Sequence, residues 1–223
     1  LGQNVNSYNC GKYKFHNLLE ELSEIEGLKR IRYTSPHPMD ITDDLLFIMA
    51  QRDNICNYIH LPLQSGSDQI LSRMNRNYTK GHFLKLVEKI RKFLPNAGIS
   101  TDIIVGFPGE NESDFDETIH VMNEVMFDSA YTFKYSMRRG TKAIEYDDQI
   151  DEVTKQNRLE KIISLQRKHT HQNNCKDIGS IQEVLVEKES KLSSKQWAGR
   201  TDSNKWVIFD KGKAKINDII QIK

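Results

Sequence analysis

The sequence predicts an α/β domain of the open or closed (β/α) barrel kind, followed by a small all-β domain of the OB-like or SH3-like kind. Three observations predict this. Over the first 150 residues, strand-like runs alternate with runs of helical period, so the strands are separated by helices and expected to be parallel, with right-handed connections. One long amphipathic stretch, 151–173, closes the alternation. After Gly179 the texture changes to short β-branched runs broken by Ser, Asn and Gly turns. The expected domains are residues 1–173 and 174–223.

The elements follow in order. The opening Leu-Gly-Gln-Asn reads as the end of a buried strand and the loop leaving it. Phe15, Leu18, Leu19, Leu22 and Ile25 share one helical face. Residues 29–38 read as a short strand stopped by Pro36 and Pro38. Thr42 is placed to cap a helix carrying Leu45, Leu46, Ile48 and Met49. Residues 58–67 form a strand and its exit, and Ser67 caps a short helix. Thr79 opens another helix, with Phe83, Leu84, Leu86, Val87 and Ile90 inward. The run 98–110 is the clearest strand, punctuated by Gly106, Pro108 and Gly109. A helix from about Ser113 carries Phe115, Ile119, Met122 and Met126, and 129–136 is the last strand of the domain. In the helix over 151–173 the apolar residues are Val153, Leu159, Ile162, Ile163 and Leu165. Strands are then expected within 180–190, 195–202, 205–210 and 218–223.

Composition excludes several classes. Hydrophobic residues make up 37% and charged residues 28%, which supports a folded core and argues against global disorder. No apolar run reaches membrane-span length and no secretory pattern is visible, so a cytoplasmic location is expected. Cys10, Cys56 and Cys175 are far apart and odd in number, which suits neither a disulfide framework nor a Cys-x-x-Cys metal site. Residues 151–223 hold 15 Lys and Arg against 10 Asp and Glu, while the rest is acidic. That asymmetry hints at an anionic partner for the C-terminal part, although ordinary solvated surface explains it as well.

In parallel α/β folds the active site gathers at the C-terminal ends of the strands. Five strand exits carry polar or Gly-rich clusters: Gly2-Gln3-Asn4, Ser35-Pro36-His37-Pro38, Gln64-Ser65-Gly66-Ser67, Thr101-Asp102 with Gly106 to Glu110, and Tyr135-Ser136 leading to Arg138. Together they suit a polar small ligand with a carboxylate, ribose and base. Taken singly, the Gly-Ser and Gly-Phe-Pro-Gly pieces read as a cap and a turn, and His37 reads first as structural. Residues 106–111 lack the ending of a phosphate loop. His169 and His171 cannot both face one side of a helix, so they do not suggest a metal site.

The strings LGQNVNSY, RIRYTSPHP, YIHLPLQSGSDQILSRMNRNYT, ISTDIIVGFPGENESDF and FDSAYTFKYS occur in order across the chain. Together they resemble the radical-SAM methylthiotransferases, most nearly the branch that methylthiolates the isopentenylated adenosine next to the tRNA anticodon. The resemblance implies a partial radical-SAM barrel lacking its first strand, followed by a TRAM domain that holds RNA. It implies S-adenosyl-L-methionine and two 4Fe-4S clusters in the full-length enzyme. One cluster sits in an N-terminal domain and the other on a Cys-x3-Cys-x2-Cys loop upstream of LGQNVNSY. Neither cysteine set is in this sequence, so the chain is expected to be a C-terminal fragment, inactive alone. The TRAM part also stops about one strand short of the family's usual length.

Carried over residue by residue, the resemblance puts Gln3 and Asn4 near the methionine amino group. It puts Gln64, Ser65 and Ser67 at the ribose, Ile104 to Gly106 at the adenine, and Tyr135 and Arg138 at cofactor or substrate. Arg139 stands where the family usually has Pro, which loosens that loop. For RNA, the candidates are Trp197, Arg200, Lys205, Lys211 and Lys213, since cations neutralise phosphates and aromatic rings stack on bases. Trp206, inside an apolar run, reads equally as an RNA contact or a core residue. Two other readings stay open: a sibling enzyme acting on a ribosomal-protein Asp or on threonylcarbamoyl-adenosine tRNA, and a non-catalytic RNA-binding protein.

Overall fold

The computed structural model describes residues 3–223; the strand end expected at Leu1 and Gly2 lies outside the described residues. Asn4 is left-handed, with φ 52°, and leads into a 3-10 turn at Val5–Ser7. A two-residue hairpin follows, β1 (Asn9–Cys10) and β2 (Tyr13–Lys14), with Gly11 supplying the positive φ that its turn requires. α1 (Phe15–Ser23) buries Phe15 and Leu19; it stops before Ile25, which is 53% exposed. The strand expected over 29–38 is reduced to one parallel bridge, Ile31 to Ile55. Pro36 and Pro38 remove the N–H groups that would extend it. Instead, the Asn6 side chain pins this segment at both ends of one residue: its Oδ1 accepts from the His37 N–H at 2.7 Å and its Nδ2 donates to the His37 carbonyl at 3.0 Å.

α2 (Asp43–Gln51), α3 (Asp68–Arg73) and α4 (Lys80–Phe93) are capped by Thr42, Ser67 and Thr79, each accepting from a backbone N–H in the first turn. α5 (Glu112–Val125) starts one residue earlier than expected, because Asn111 and Asp114 form a reciprocal capping box. Between these helices run β3 (Tyr58–His60), β4 (Gly98–Val105) and β5 (Ser129–Lys134), parallel and in that order. A further parallel bridge joins Gln64 to Ile103. Alternation along β4 sends Ile103 and Val105 into a core shared with Leu61, Leu63, Phe83, Ile90, Phe115 and Met122. Ser100, Asp102 and Ile104 face the opposite, open side, as do Tyr131 and Phe133, which are 58% and 52% exposed.

α6 (Glu152–Cys175) meets its expected apolar face in part: Ile162 is buried, and Leu159 and Leu165 pack against the core, but Val153 is 70% exposed. The fully buried residues are Lys155, Arg158, Ile162, Gln166, His169 and Asn173. They recur every three or four residues, so the packed stripe is helical but mostly polar. Several of its groups bond neighbouring carbonyls: Gln166, Thr170 and Asn173 donate to those of Phe127, Asp128 and Met126, each at 2.8 Å. Arg158 donates to the Glu110 carbonyl and to its carboxylate, both at 2.9 Å, and that carboxylate also accepts from the Gly106 N–H.

The second domain is an antiparallel sheet of β6 (Gln182–Glu189), β7 (Gln196–Thr201), β8 (Trp206–Asp210) and β9 (Ile219–Ile222), in the order β8-β7-β6-β9. It docks at the N-terminal ends of the parallel strands. Asp202 accepts from the Asn57 N–H at 3.0 Å, just before β3. The Ser203 carbonyl lies where a side chain on Gly98, the first residue of β4, would begin; a Cβ there would be 2.3 Å from it. Lys205 donates to Asp177 at 2.7 Å and pairs with Asp128, just before β5, at 3.6 Å. From the first domain, Arg30 donates to the carbonyls of Arg200 (2.7 Å) and Glu183 (2.9 Å), and Arg32 to that of Thr201.

Burial pushes the Glu110 carboxyl above its ordinary range, against the opposing pull of Gly106 and Arg158. Arg158→Met leaves that carboxylate buried without its cation, so stability should fall by about 3–5 kcal/mol at neutral pH. A raised carboxyl pKa favours the fold below the unfolded value and loses that contribution as pH rises through the folded one. The deficit should therefore be larger at pH 8 than at pH 5 in urea titrations; an equal deficit at both would show that Glu110 does not carry it.

Candidate functional site

A cavity of about 890 Å³ opens at the C-terminal ends of β3, β4 and β5, opposite the end that receives the second domain. Gln64, Asp102 and Ile104 form its sheet side. Phe107, Phe133, Tyr135 and Tyr146 supply aromatic wall, and Arg73, Arg76, Arg138 and Lys142 line it with cations. The aromatic wall is interlocked: Phe107 meets Tyr135 edge-on at 5.1 Å between centroids and Tyr146 at 6.4 Å. Arg73 lies over Tyr146 at 4.5 Å and donates to Asp148 at 2.6 Å, so it is held as wall rather than left free. Three buried polar atoms at the cavity have no protein partner, Arg73 Nε, Arg76 Nε and the Tyr135 hydroxyl. Burial, and then the neighbouring Tyr146, raise the Tyr135 pKa, so the hydroxyl is a neutral donor.

Gln64 is held to the sheet by its backbone. Its N–H donates to the Asp102 carbonyl at 2.8 Å and its carbonyl accepts from Ile104 at 2.9 Å, with φ at 66°. A non-glycine residue in this left-handed region stores backbone strain, a feature concentrated at ligand sites.

Residues 7–122 match the family model of the Radical SAM superfamily, more than half of the chain, and residues 176–223 match that of the TRAM domain. The chain belongs to the Radical SAM superfamily. Among curated proteins it is similar to the tRNA-2-methylthio-N(6)-dimethylallyladenosine synthases of Clostridium tetani (46% identical over 226 residues) and Natranaerobius thermophilus (47% over 228). All of this chain is covered in both, and it spans about half the length of each, 50% in either case. Among solved structures, coproporphyrinogen III oxidase (HemN) from Escherichia coli, a Radical SAM enzyme, superposes with a TM-score of 0.51 at 14% identity. The match covers 75% of this chain and 45% of that one and speaks to the fold alone.

Of the residues expected at the cofactor, this radical-SAM domain brings Gln64, Ile104, Tyr135 and Arg138 together in the cavity. Ser65, Ser67 and Gly106 are turned elsewhere. Ser67 donates to Asp114 at 2.6 Å and caps α3, while Ser65 meets Thr118 and accepts from the Ser67 N–H. The whole exit is pressed on α5: a Cβ on Gly66 would lie 2.5 Å from the Glu117 carbonyl. The Gly106 N–H is bonded to Glu110, and its Cα abuts Lys155. Gln3 is exposed, and the Asn4 Oδ1 is buried without a partner; neither lines the cavity. Arg76 lay outside the sequence-based reading, while Asp102 stood there as part of the Thr101-Asp102 strand exit but was not carried over to the cofactor. Asp102 was signalled by its place inside a β-branched run, at a position alternating with core residues.

In the TRAM domain, Lys205 is held in the seam between the domains. Trp197 is half-buried and donates to the Ala214 carbonyl at 2.9 Å, with Lys211 over its ring and paired to Glu189. Arg200 donates to Glu187 at 2.8 Å and to Asn204 at 3.0 Å. Lys213 is exposed. Trp206, which the sequence left open, is 52% exposed, with Lys188 at 4.3 Å and Arg200 at 5.0 Å from its ring. Among the described residues no helix is long and apolar enough to cross a membrane.

The strain at Gln64 reverses an ordinary preference. Glycine at this position should be more stable than alanine by about 1 kcal/mol, because alanine retains the left-handed penalty. Thermal melts of Gln64→Gly and Gln64→Ala check this, and alanine melting higher would disprove the strain.

Proposed function

We propose that this chain is the C-terminal half of a tRNA methylthiotransferase. Its cavity holds S-adenosyl-L-methionine and its TRAM domain grips tRNA carrying a dimethylallyl-adenosine. The observation that carries the reading is the pairing, in one cavity, of a carboxylate (Asp102), an incompletely partnered guanidinium (Arg76) and an aromatic wall. Asp102 suits ribose hydroxyls, which donate to it. Arg76 suits the methionine carboxylate, with the Tyr135 hydroxyl a further donor. Ile104, Phe107 and Phe133 suit the flat purine. When bound, the cofactor supplies a sulfonium with labile bonds to its carbon substituents. The residues of this chain orient that group, cover its base and hold its charged end. The names of the relatives, at 45–47% identity over this whole chain, support the reaction and the RNA substrate.

The iron-sulfur clusters implied by the family find no fit in this chain. Cys10 and Cys175 are exposed, Cys56 is buried, and no three metal-ligating side chains converge among the described residues. Burial pushes the Cys56 thiol up to about 11, the opposite of what a thiolate ligand needs. No catalytic step is therefore assigned to these cysteines.

On the TRAM side, the ring of Trp206 is 52% exposed with two cations over it, and exposed Lys213 adds a charge, a set suited to phosphates and bases. Isothermal titration with S-adenosylmethionine should show Arg76→Ala and Asp102→Ala each binding roughly tenfold weaker. Filter binding to dimethylallyl-adenosine tRNA should show Trp206→Ala weaker by about tenfold, and Lys188→Glu flattening the salt dependence by about one unit of slope. A chain that binds the tRNA but not S-adenosylmethionine would reduce it to an RNA-binding module, against this reading.

A further inference from the structure

Beneath Asp102 lies a column of polar side chains on the open face of the sheet. His60 Nε2 is 3.3 Å from Asp102 Oδ2, and His60 Nδ1 is 2.8 Å from Ser100 Oγ. Ser100 Oγ is 2.5 Å from the Tyr58 hydroxyl. Burial raises the Tyr58 pKa, and hydrogen bonding from Ser100 works against it.

The proton positions in this column follow from its carboxylate end. A carboxylate only accepts, so His60 Nε2–H donates to Asp102, and Nδ1 accepts from the Ser100 hydroxyl. Ser100 Oγ then accepts from the Tyr58 hydroxyl. A phenol starts the series and a carboxylate ends it, so every donor points the same way and each bond polarises the next.

We infer that His60 is a positioning residue: through its Nε2–H it fixes the Asp102 carboxylate so that the remaining oxygen faces the cavity, and Ser100 and Tyr58 hold the ring from its other nitrogen. This confers selectivity for a vicinal diol, and it rests on the reading of the cavity as a nucleoside site. The ring is also braced edge-on by Tyr131 at 5.9 Å, so its plane is set before any ligand arrives.

Adenosine and 2′,3′-dideoxyadenosine, titrated into the full 223-residue chain by ligand-observed NMR, test it. The wild-type chain should prefer adenosine by about tenfold, the scale of hydrogen bonds to a charged group. His60→Asn keeps a polar group toward Ser100 but none toward Asp102, and its preference should fall to within about twofold. His60→Gln reaches Asp102 and should keep most of the preference. Tyr58→Phe, at the far end of the column, should lower it about two- to threefold. Thermal melts accompany each variant; if His60→Asn does not fold, Ser100→Ala takes its place, with partial loss of preference expected. Equal preference in wild type and His60→Asn overturns the inference, as does an equal loss in the Asn and Gln variants, which marks a purely structural ring. A wild-type chain without any preference overturns the nucleoside reading itself.

Discussion

The buried pair of Glu110 and Arg158 is the constraint on which the rest of the molecule hangs. Glu110 is 2% exposed and Arg158 6%, so neither charge is tolerable without the other. Glu110 fixes the turn after β4 through the Gly106 N–H, and that turn aims Phe107 into the cavity. Arg158 anchors α6 to the same turn, and α6 then holds the three carbonyls that lead into β5. Its far end presents Asn173 and Asp177 to Lys205 of the TRAM domain. One ion pair thus sets the cavity wall, the last strand and the carrier of the second domain. By itself such a pair adds little net stability; its effect is to leave one arrangement of these parts satisfied and the alternatives with a stranded charge.

The parallel sheet divides its labour between its two ends. The C-terminal ends open on the cavity, with strained Gln64 and the unpartnered Arg73 Nε, Arg76 Nε and Tyr135 hydroxyl. The N-terminal ends are closed by the 201–205 loop. At about 3.3 Å per residue, the eight residues of β4 separate the two ends by roughly 26 Å.

Much of this was legible from the amino acids, for identifiable reasons. Helix starts at Thr42, Ser67 and Thr79 were readable because a cap is a local event, decided by one hydroxyl and the next turn. β4 was readable because its β-branched run is long and ends in Gly and Pro. What escaped reading was decided across long separations. The two-residue hairpin at 9–14 is shorter than any periodic signal. The packed face of α6 is polar because its partners are carbonyls more than thirty residues earlier in the chain, and no pattern within the helix reveals that. Arg76 and Ser67 are both polar residues near one strand exit, yet one faces the cavity and the other a buried Asp114. Lys205 reads as a free cation in sequence and is tied to Asp177 in space.

The contact between Gly98 and the Ser203 carbonyl has a consequence for how this protein can change. Position 98 has no room for even a methyl group, and what fills the room is backbone from the other domain. A substitution there is therefore not a private matter of one strand. The two halves are not interchangeable parts: a TRAM domain borrowed from elsewhere would bring its own loop contour, and the rim of β4 would have to be recut to receive it.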